Sequence, residues 1–179
     1  ALLCRVPLKT AAGAVQPVIM AHIAVLGLGN WGTAIARLWL QDGHSVNGWT
    51  IEDEVYASIM TDDVNEKYLP NRSIKGLEVT MRIEDAIHDA EIVVLAVPSA
   101  HILDVVESLL PHLRPGHVLL DLAKGLAPGK RLISEAIEGM LEANNMSNAL
   151  AVLTGPTIAP EAADGVMTTA LVASSDLSI

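Results

Sequence analysis

Three glycines in the segment 25–34, VLGLGNWGTA, are spaced G-x-G-x-x-G and follow an aliphatic run. In a dinucleotide-binding turn, a glycine at Gly27 allows a tight turn, one at Gly29 lets a pyrophosphate approach the backbone, and one at Gly32 lets helix and strand pack closely. Free N–H groups at the start of the next helix also attract phosphate. Glycine-rich loops without function share this spacing, but the position between a predicted strand and a predicted helix favours dinucleotide binding.

The end of the second predicted strand bears on the choice between the two nicotinamide cofactors. An acidic residue there would bind the ribose 2′-hydroxyl, whereas an arginine would accept a 2′-phosphate. The segment 49–54 reads WTIEDE, and no lysine or arginine occurs between Arg37 and Lys67. Glu52 and Asp53 could instead simply begin the next helix, where the helix dipole favours acids. Both interpretations disfavour a phosphate, so NAD is the predicted cofactor and NADP the alternative.

Three further segments follow predicted strands: VPS at 97–99, AKGL at 123–126 and TGPTIAPEAADG at 154–165. Ligands of doubly wound sheets bind outside the carboxyl ends of the strands. Lys124 is the lone cation on this predicted edge, and the turn from Gly155 to Thr157 would offer a hydroxyl to an anion or a ribose oxygen. A solvated surface lysine and an ordinary turn are the alternatives. No histidine, cysteine or acidic pair has metal-ligand spacing, so no metal is predicted.

These segments lie between elements that alternate along the chain. Strand-like runs are followed by amphipathic helical patterns, and the run EIVVLAVP is continuously apolar, as in a strand buried on both faces. The alternation predicts an α/β fold of the Rossmann type, a doubly wound parallel sheet with helices on both faces. Strands are predicted over 22–27, 44–50, 79–81, 91–98, 117–122, 149–155 and 168–173, and helices over 31–43, 52–60, 82–90, 100–113 and 130–143.

Composition restricts the partners and the compartment. The 179 residues carry a net charge of −10, which argues against nucleic acid or an anionic membrane as a partner. The single cysteine, Cys4, forms no internal disulfide framework, which favours a reducing compartment, and no apolar run is long enough to span a membrane. Residues 1–20 have no clear period and are predicted to be an extension outside the fold, with the dinucleotide-binding domain over 21–179.

At these motifs the chain resembles the N-terminal domain of bacterial-type NAD(P)-dependent glycerol-3-phosphate dehydrogenases. The similar segments are IAVLGLGNWGTAIA, NEKYLP, EIVVLAVPS, LAKGL and LTGPTIAPEAADG, in family order across residues 22–173. The resemblance implies a cleft for cofactor and substrate in which Lys124 serves both. Together with the motifs above, it gives an expected cofactor-binding set of Gly27, Gly29, Asn30, Trp31, Gly32, Glu52, Pro98, Lys124 and Ala159, with Lys124, Gly155 and Thr157 contacting the substrate and Lys124 taking part in catalysis.

The resemblance further implies reduction of dihydroxyacetone phosphate to sn-glycerol 3-phosphate for glycerophospholipid synthesis, by a cytoplasmic enzyme that forms a homodimer. The family's main catalytic lysine lies in a helical C-terminal domain, beyond Ile179. The ending SSDLSI resembles the first turn of a helix cut short, so we expect an incomplete chain that is inactive alone. The alternatives are a ketopantoate-type or 2-hydroxyacid dehydrogenase, or a module that senses NAD without catalysis.

Two positions depart from the family pattern. Members that use NADPH often have a basic residue or a histidine at the position of Ile51. The family's usual Pro-Ser-His is Pro98-Ser99-Ala100 in this chain, with His101 one place later.

Overall fold

A computed structural model describes residues 20–166 and 168–176. Its seven-stranded sheet has the order β3-β2-β1-β4-β5-β8-β9, and β6 and β7 form a separate hairpin. The strands are β1 His22–Leu26, β2 Ser45–Trp49, β3 Glu78–Thr80, β4 Ile92–Leu95, β5 Val118–Asp121, β6 Leu126–Ala127, β7 Arg131–Leu132, β8 Leu150–Thr154 and β9 Leu171–Ser174. The helices are α1 Asn30–Gln41, α2 Asp53–Asp62, α3 Ile83–Ile87, α4 Ile102–Leu109, α5 Ile133–Ala143 and α6 Ala159–Ala163.

Helices cover both faces of the sheet, because successive strand side chains point to opposite sides. In β1, Ala24 and Leu26 pack into the core formed with α3, α4 and α5, whereas Ile23 and Val25 pack into the core formed with α1 and α2. Each of these four side chains is almost fully buried. Six neighbouring strands of the sheet, in the order β3-β2-β1-β4-β5-β8, are parallel and follow the order of a Rossmann sheet. The predicted doubly wound α/β fold is therefore confirmed.

The last strand corrects the prediction of a parallel sheet throughout, because β9 pairs antiparallel with β8. A parallel crossover needs a long connection, usually a helix packed along the sheet. Here segment 155–170 contains only the short α6, which packs against α1. The chain therefore re-enters the sheet from the carboxyl edge and runs back beside β8. The β6–β7 hairpin was not predicted either.

The loop between α2 and β3 is attached to the glycine-rich turn by one buried side chain. Asn65 is fully buried, and its amide donates to the Leu28 carbonyl at 2.8 Å and to Thr33 Oγ1 at 2.9 Å. Asn65 Oδ1 accepts from the Tyr68 N–H at 3.2 Å. Leu69, which follows, is buried against Ala34 of α1. These contacts hold the loop, with its motif NEKYLP, beside the start of α1.

Several sequence-based predictions concern residues outside the described ranges. The N-terminal extension and Cys4 lie there, apart from Met20, as does the end of SSDLSI from residue 177 onward. The extension and the domain boundary near residue 20 remain predictions. A helix that begins at Ser174 is wrong, because Ser174 is the last residue of β9. Within the described residues, no helix is long and apolar enough to cross a membrane, and no group of three or more histidine, cysteine or acidic side chains is arranged to hold a metal ion.

Candidate functional site

The main cleft of the described chain lies at the carboxyl edge of the parallel strands. Its volume of about 780 Å³ is typical of small-molecule sites. The walls come from the segments that follow β1, β2, β4, β5 and β8 and from the loop before β3. Its centre lies between β1 and β4, where the strand order reverses and where α/β sheets bind ligands.

The glycine-rich turn forms the floor of the cleft, and its glycines have different reasons to be glycine. Gly27 has a φ of 102°, which side chains rarely adopt. A Cβ at Gly32 would lie 1.9 Å from the Gly27 carbonyl oxygen, so α1 could not pack as it does. A Cβ at Gly29 would meet no atom within 4 Å. Gly27 and Gly32 are thus required by the fold, whereas Gly29 leaves open space above the turn.

The start of α1 faces this open space without a counter-charge. Gly29 is the N-cap residue, no described side chain caps the helix, and its first turn has no acidic residue. Asn30 and Trp31 line the cleft with their backbone N–H groups at the positive end of the helix dipole. The open space over Gly29 and the uncapped helix together fit the pyrophosphate of a dinucleotide.

Glu52 lies at one end of the cleft with partners that the sequence did not reveal. Its carboxylate accepts from Lys67 Nζ at 2.5 Å and from the Tyr68 hydroxyl at 3.0 and 3.3 Å. The Lys67 hydrogen bond is the main cause that lowers the pKa of Glu52. Glu52 is the N-cap residue of α2, but its side chain does not cap the helix. The sequence argument that no cation lies near the end of β2 is therefore wrong, because the loop returns Lys67 to it.

Lys124 lies at the other end of the cleft, in the loop after β5. It is exposed and lines the cleft together with Ser99 and Thr157. The backbone before it is fixed by Asp121, whose Oδ1 accepts from the Ala123 N–H at 2.8 Å. Burial of Asp121 raises the pKa of this carboxyl to about 6. This end of the cleft therefore combines an ammonium with two hydroxyls, a set that suits a phosphorylated or carbonyl-bearing ligand.

Most of the predicted site residues line this one cleft: Gly27, Gly29, Asn30, Trp31, Glu52, Pro98, Lys124, Thr157 and Ala159. Gly32 and Gly155 are not part of its lining. Gly32 is required by the close approach of helix and turn, and a Cβ at Gly155 would lie 2.5 Å from the Thr169 carbonyl oxygen. Packing thus accounts for both glycines, and whether they also touch a ligand stays a prediction.

Although the segment VPS at 97–99 was predicted to lie at the ligand-binding edge, sequence reasoning assigned no site role to some residues of the cleft. Tyr68, Thr50, Ser99 and His101 also line it. The NEKYLP motif was noticed only as part of the resemblance, and no local spacing connects Lys67 or Tyr68 with Glu52. A long-range contact of this kind has no periodic signal in one sequence.

Comparison with known proteins agrees with this geometry. The family model described as the N-terminus of NAD-dependent glycerol-3-phosphate dehydrogenase matches residues 22–179. The chain belongs to this family. A glycerol-3-phosphate dehydrogenase (NAD(P)+) of Koribacter versatilis is 39% identical over 160 residues, which cover 88% of this chain and 47% of that protein. The resemblance stated from the motifs is confirmed, and it favours this family over the other dehydrogenases considered.

Solved structures of glycerol-3-phosphate dehydrogenases share the fold. The enzyme from Coxiella burnetii superposes with a TM-score of 0.82 at 28% identity, over 89% of this chain and 48% of that one. The yeast enzyme gives 0.75 at 25% identity, over 87% and 48% of the two chains. The chain thus spans about half the length of the relatives it matches.

Proposed function

We propose that this chain binds a nicotinamide dinucleotide in the cleft and forms the cofactor half of a glycerol-3-phosphate dehydrogenase. The observation that carries the proposal is the open space above Gly29, directly in front of the uncapped start of α1. No packing requirement explains a glycine at that position, whereas a pyrophosphate resting on the backbone does. Family membership supports the same conclusion.

In the proposed complex the pyrophosphate lies against the backbone of Gly29, Asn30 and Trp31, and the adenosine ribose lies near Glu52. Ile51, which lines the cleft and is 72% exposed, offers an apolar face to the adenine. The cofactor supplies hydride transfer when bound. The protein contributes by orienting the cofactor and by limiting access of water on the apolar side of the cleft.

The substrate that we propose is dihydroxyacetone phosphate, reduced to sn-glycerol 3-phosphate. Lys124 would donate a hydrogen bond to the carbonyl oxygen, where negative charge develops during reduction. Thr157 and Ser99 would position the substrate from the same end of the cleft. The expected contribution of Gly155 is a backbone contact in the same turn. We further propose, from the family, a role in glycerophospholipid synthesis, a cytoplasmic location and a homodimer.

Binding of NADH to Gly29→Val tests the proposed cofactor cleft. The new side chain would occupy the space assigned to the pyrophosphate, so we expect the NADH affinity to fall by about 100-fold or more. The fold should tolerate the change, because nothing lies within 4 Å of the new Cβ. Calorimetric titration with NADH and a thermal melt measure the two properties.

Gly116→Val is the matched control, because a Cβ at Gly116 also meets nothing within 4 Å and Gly116 lies before β5, outside the lining of the cleft. It should bind NADH as the wild type does. A folded Gly29→Val protein with unchanged NADH affinity would contradict the proposed cleft. Turnover of dihydroxyacetone phosphate by the full-length protein separates the dehydrogenase from the NAD-sensing alternative, which would bind NADH without turnover.

A further inference from the structure

The end of the cleft at Glu52 is assembled from two distant segments of the chain. Glu52 follows β2, whereas Lys67 and Tyr68 belong to the loop before β3. The Lys67 ammonium lies between Glu52 and Glu54, and it also lies 5.4 Å from the centre of the Tyr68 ring. Of these residues, Glu52 and Tyr68 line the cleft, whereas Lys67 and Glu54 do not.

The loop that carries Lys67 and Tyr68 is held at both ends. Asn65 attaches it to the glycine-rich turn through the Leu28 carbonyl, as described above. Farther along, Arg72 forms a two-point ion pair with Asp164, with both N–O distances at 2.7 Å. Paired planar contacts of this kind fix geometry as well as adding energy. Lys67 and Tyr68 therefore have a defined position relative to the proposed pyrophosphate site.

We propose that Lys67 and Tyr68 determine, through Glu52, which nicotinamide dinucleotide the cleft accepts. This inference rests on the cofactor cleft proposed above. Held by both partners, the Glu52 carboxylate faces the ribose hydroxyls and keeps the Lys67 ammonium away from a 2′-phosphate. Lys67 could bind a phosphate, but its ion pair with Glu52 prevents this. Tyr68 is a positioning residue, because its hydroxyl holds the Glu52 carboxylate.

The hydrogen-bonding capacity of Glu52 supports this assignment. An ionised carboxylate has about four acceptor sites. Lys67 donates to Oε2 at 2.5 Å, and the single hydroxyl hydrogen of Tyr68 lies closer to Oε1, at 3.0 Å, than to Oε2, at 3.3 Å. Acceptor sites therefore remain on this carboxylate, which lines the cleft. A ribose hydroxyl is a donor and matches that capacity, whereas a phosphate oxygen at neutral pH is an acceptor and does not.

The local charge acts in the same direction. Glu52, Asp53 and Glu54 stand at the start of α2 against the single ammonium of Lys67. Glu52 is ionised at neutral pH, and the hydrogen bond from Lys67 lowers its pKa further. A 2′-phosphate would meet this negative cluster, with the cation already engaged. Removal of the Glu52 charge would release Lys67 N–H donors toward the cleft.

The experiment measures the dissociation constants of NADH and NADPH for the wild type and for Glu52→Gln, Glu54→Gln, Lys67→Gln and Glu52→Gln/Lys67→Gln. We expect the wild type to prefer NADH by about tenfold or more, because the hydroxyls pair with a fixed charge. In Glu52→Gln, NADPH should bind about tenfold more tightly and NADH more weakly. The double variant should lose the NADPH gain. Lys67→Gln alone should bind NADPH more weakly than the wild type does.

Glu54→Gln is the matched control, because it removes the other acid that contacts Lys67 but does not line the cleft. Its affinity ratio should shift toward NADPH by less than that of Glu52→Gln, because one charge of the acidic cluster is lost while Lys67 stays paired with Glu52. Tyr68→Phe keeps the ring and removes the hydroxyl, and it should weaken NADH without weakening NADPH. If Lys67 or Tyr68 only stabilised the fold, its substitution would weaken the binding of NADH and NADPH equally.

The outcomes separate the two proposals. If the wild type binds neither dinucleotide, the proposed cleft itself is wrong. If NADH binds but the affinity ratio is the same in Glu52→Gln and Lys67→Gln as in the wild type, only the selectivity proposal is overturned. A double variant that keeps the NADPH gain would also overturn it, because the phosphate would then be bound by another group.

Discussion

Asp121 shows how a single carboxyl at the end of a strand links stability to pH. Burial raises its pKa to about 6 from an ordinary value of 3.8, so between these values the folded protein binds more protons than the unfolded chain. The contribution of Asp121 therefore becomes less favourable as the pH rises through this interval, and the charged form destabilises the fold above pH 6.

Replacing Asp121 by asparagine should remove that cost while keeping an acceptor for the Ala123 N–H. We expect Asp121→Asn to raise the free energy of unfolding at pH 7 by about 1–3 kcal/mol, with the difference disappearing near pH 4. Urea denaturation at both pH values measures it. Burial also lowers the pKa of His117, which has the opposite pH dependence, but His117 is present in both proteins. An Asp121→Asn protein that is less stable at pH 7 would contradict the prediction.

Lys124 should matter for binding and little for stability. It is exposed, so truncation to alanine should change the free energy of unfolding by less than about 0.5 kcal/mol. The affinity of the NADH-loaded protein for dihydroxyacetone phosphate should fall about tenfold or more, because a charge-assisted hydrogen bond is lost. Calorimetry and a thermal melt measure the two effects. Lys75→Ala, at another exposed lysine outside the cleft, is the control and should change neither. If Lys124→Ala and Lys75→Ala lost the same affinity for dihydroxyacetone phosphate, Lys124 would be an ordinary surface lysine with no role in binding.

At the scale of elements, the sequence predicts what is periodic and misses what depends on distant contacts. The strands of the seven-stranded sheet and α1 follow from the apolar runs and the glycine spacing, because these signals lie within one element, whereas the β6–β7 hairpin has no such signal. The direction of β9 does not, since it depends on where the short α6 packs. The partners of Glu52 escape prediction for the same reason, because they arrive on a loop whose position is determined by the buried Asn65.

At the scale of the whole molecule, the net charge of −10 should shape the kinetics of cofactor binding. NADH is itself an anion, so long-range repulsion opposes its approach, and salt screens repulsion over distances beyond about 10 Å. We expect the association rate of NADH to rise severalfold between about 20 and 200 mM salt, with little change in the dissociation rate. Stopped-flow fluorescence measures both rates. An association rate that falls with salt would mean that a local positive field dominates.

The buried amide of Asn65 allows residues that select the cofactor to change without change in the fold. It holds the loop that carries Lys67 and Tyr68 against the glycine-rich turn, while Lys67 and Glu52 pair at one end of the cleft. Substitutions at Lys67 and Glu52 leave the buried hydrogen bonds of Asn65 unchanged. A lineage could therefore exchange one dinucleotide for the other in one or two mutational steps, provided that the asparagine is inherited unchanged.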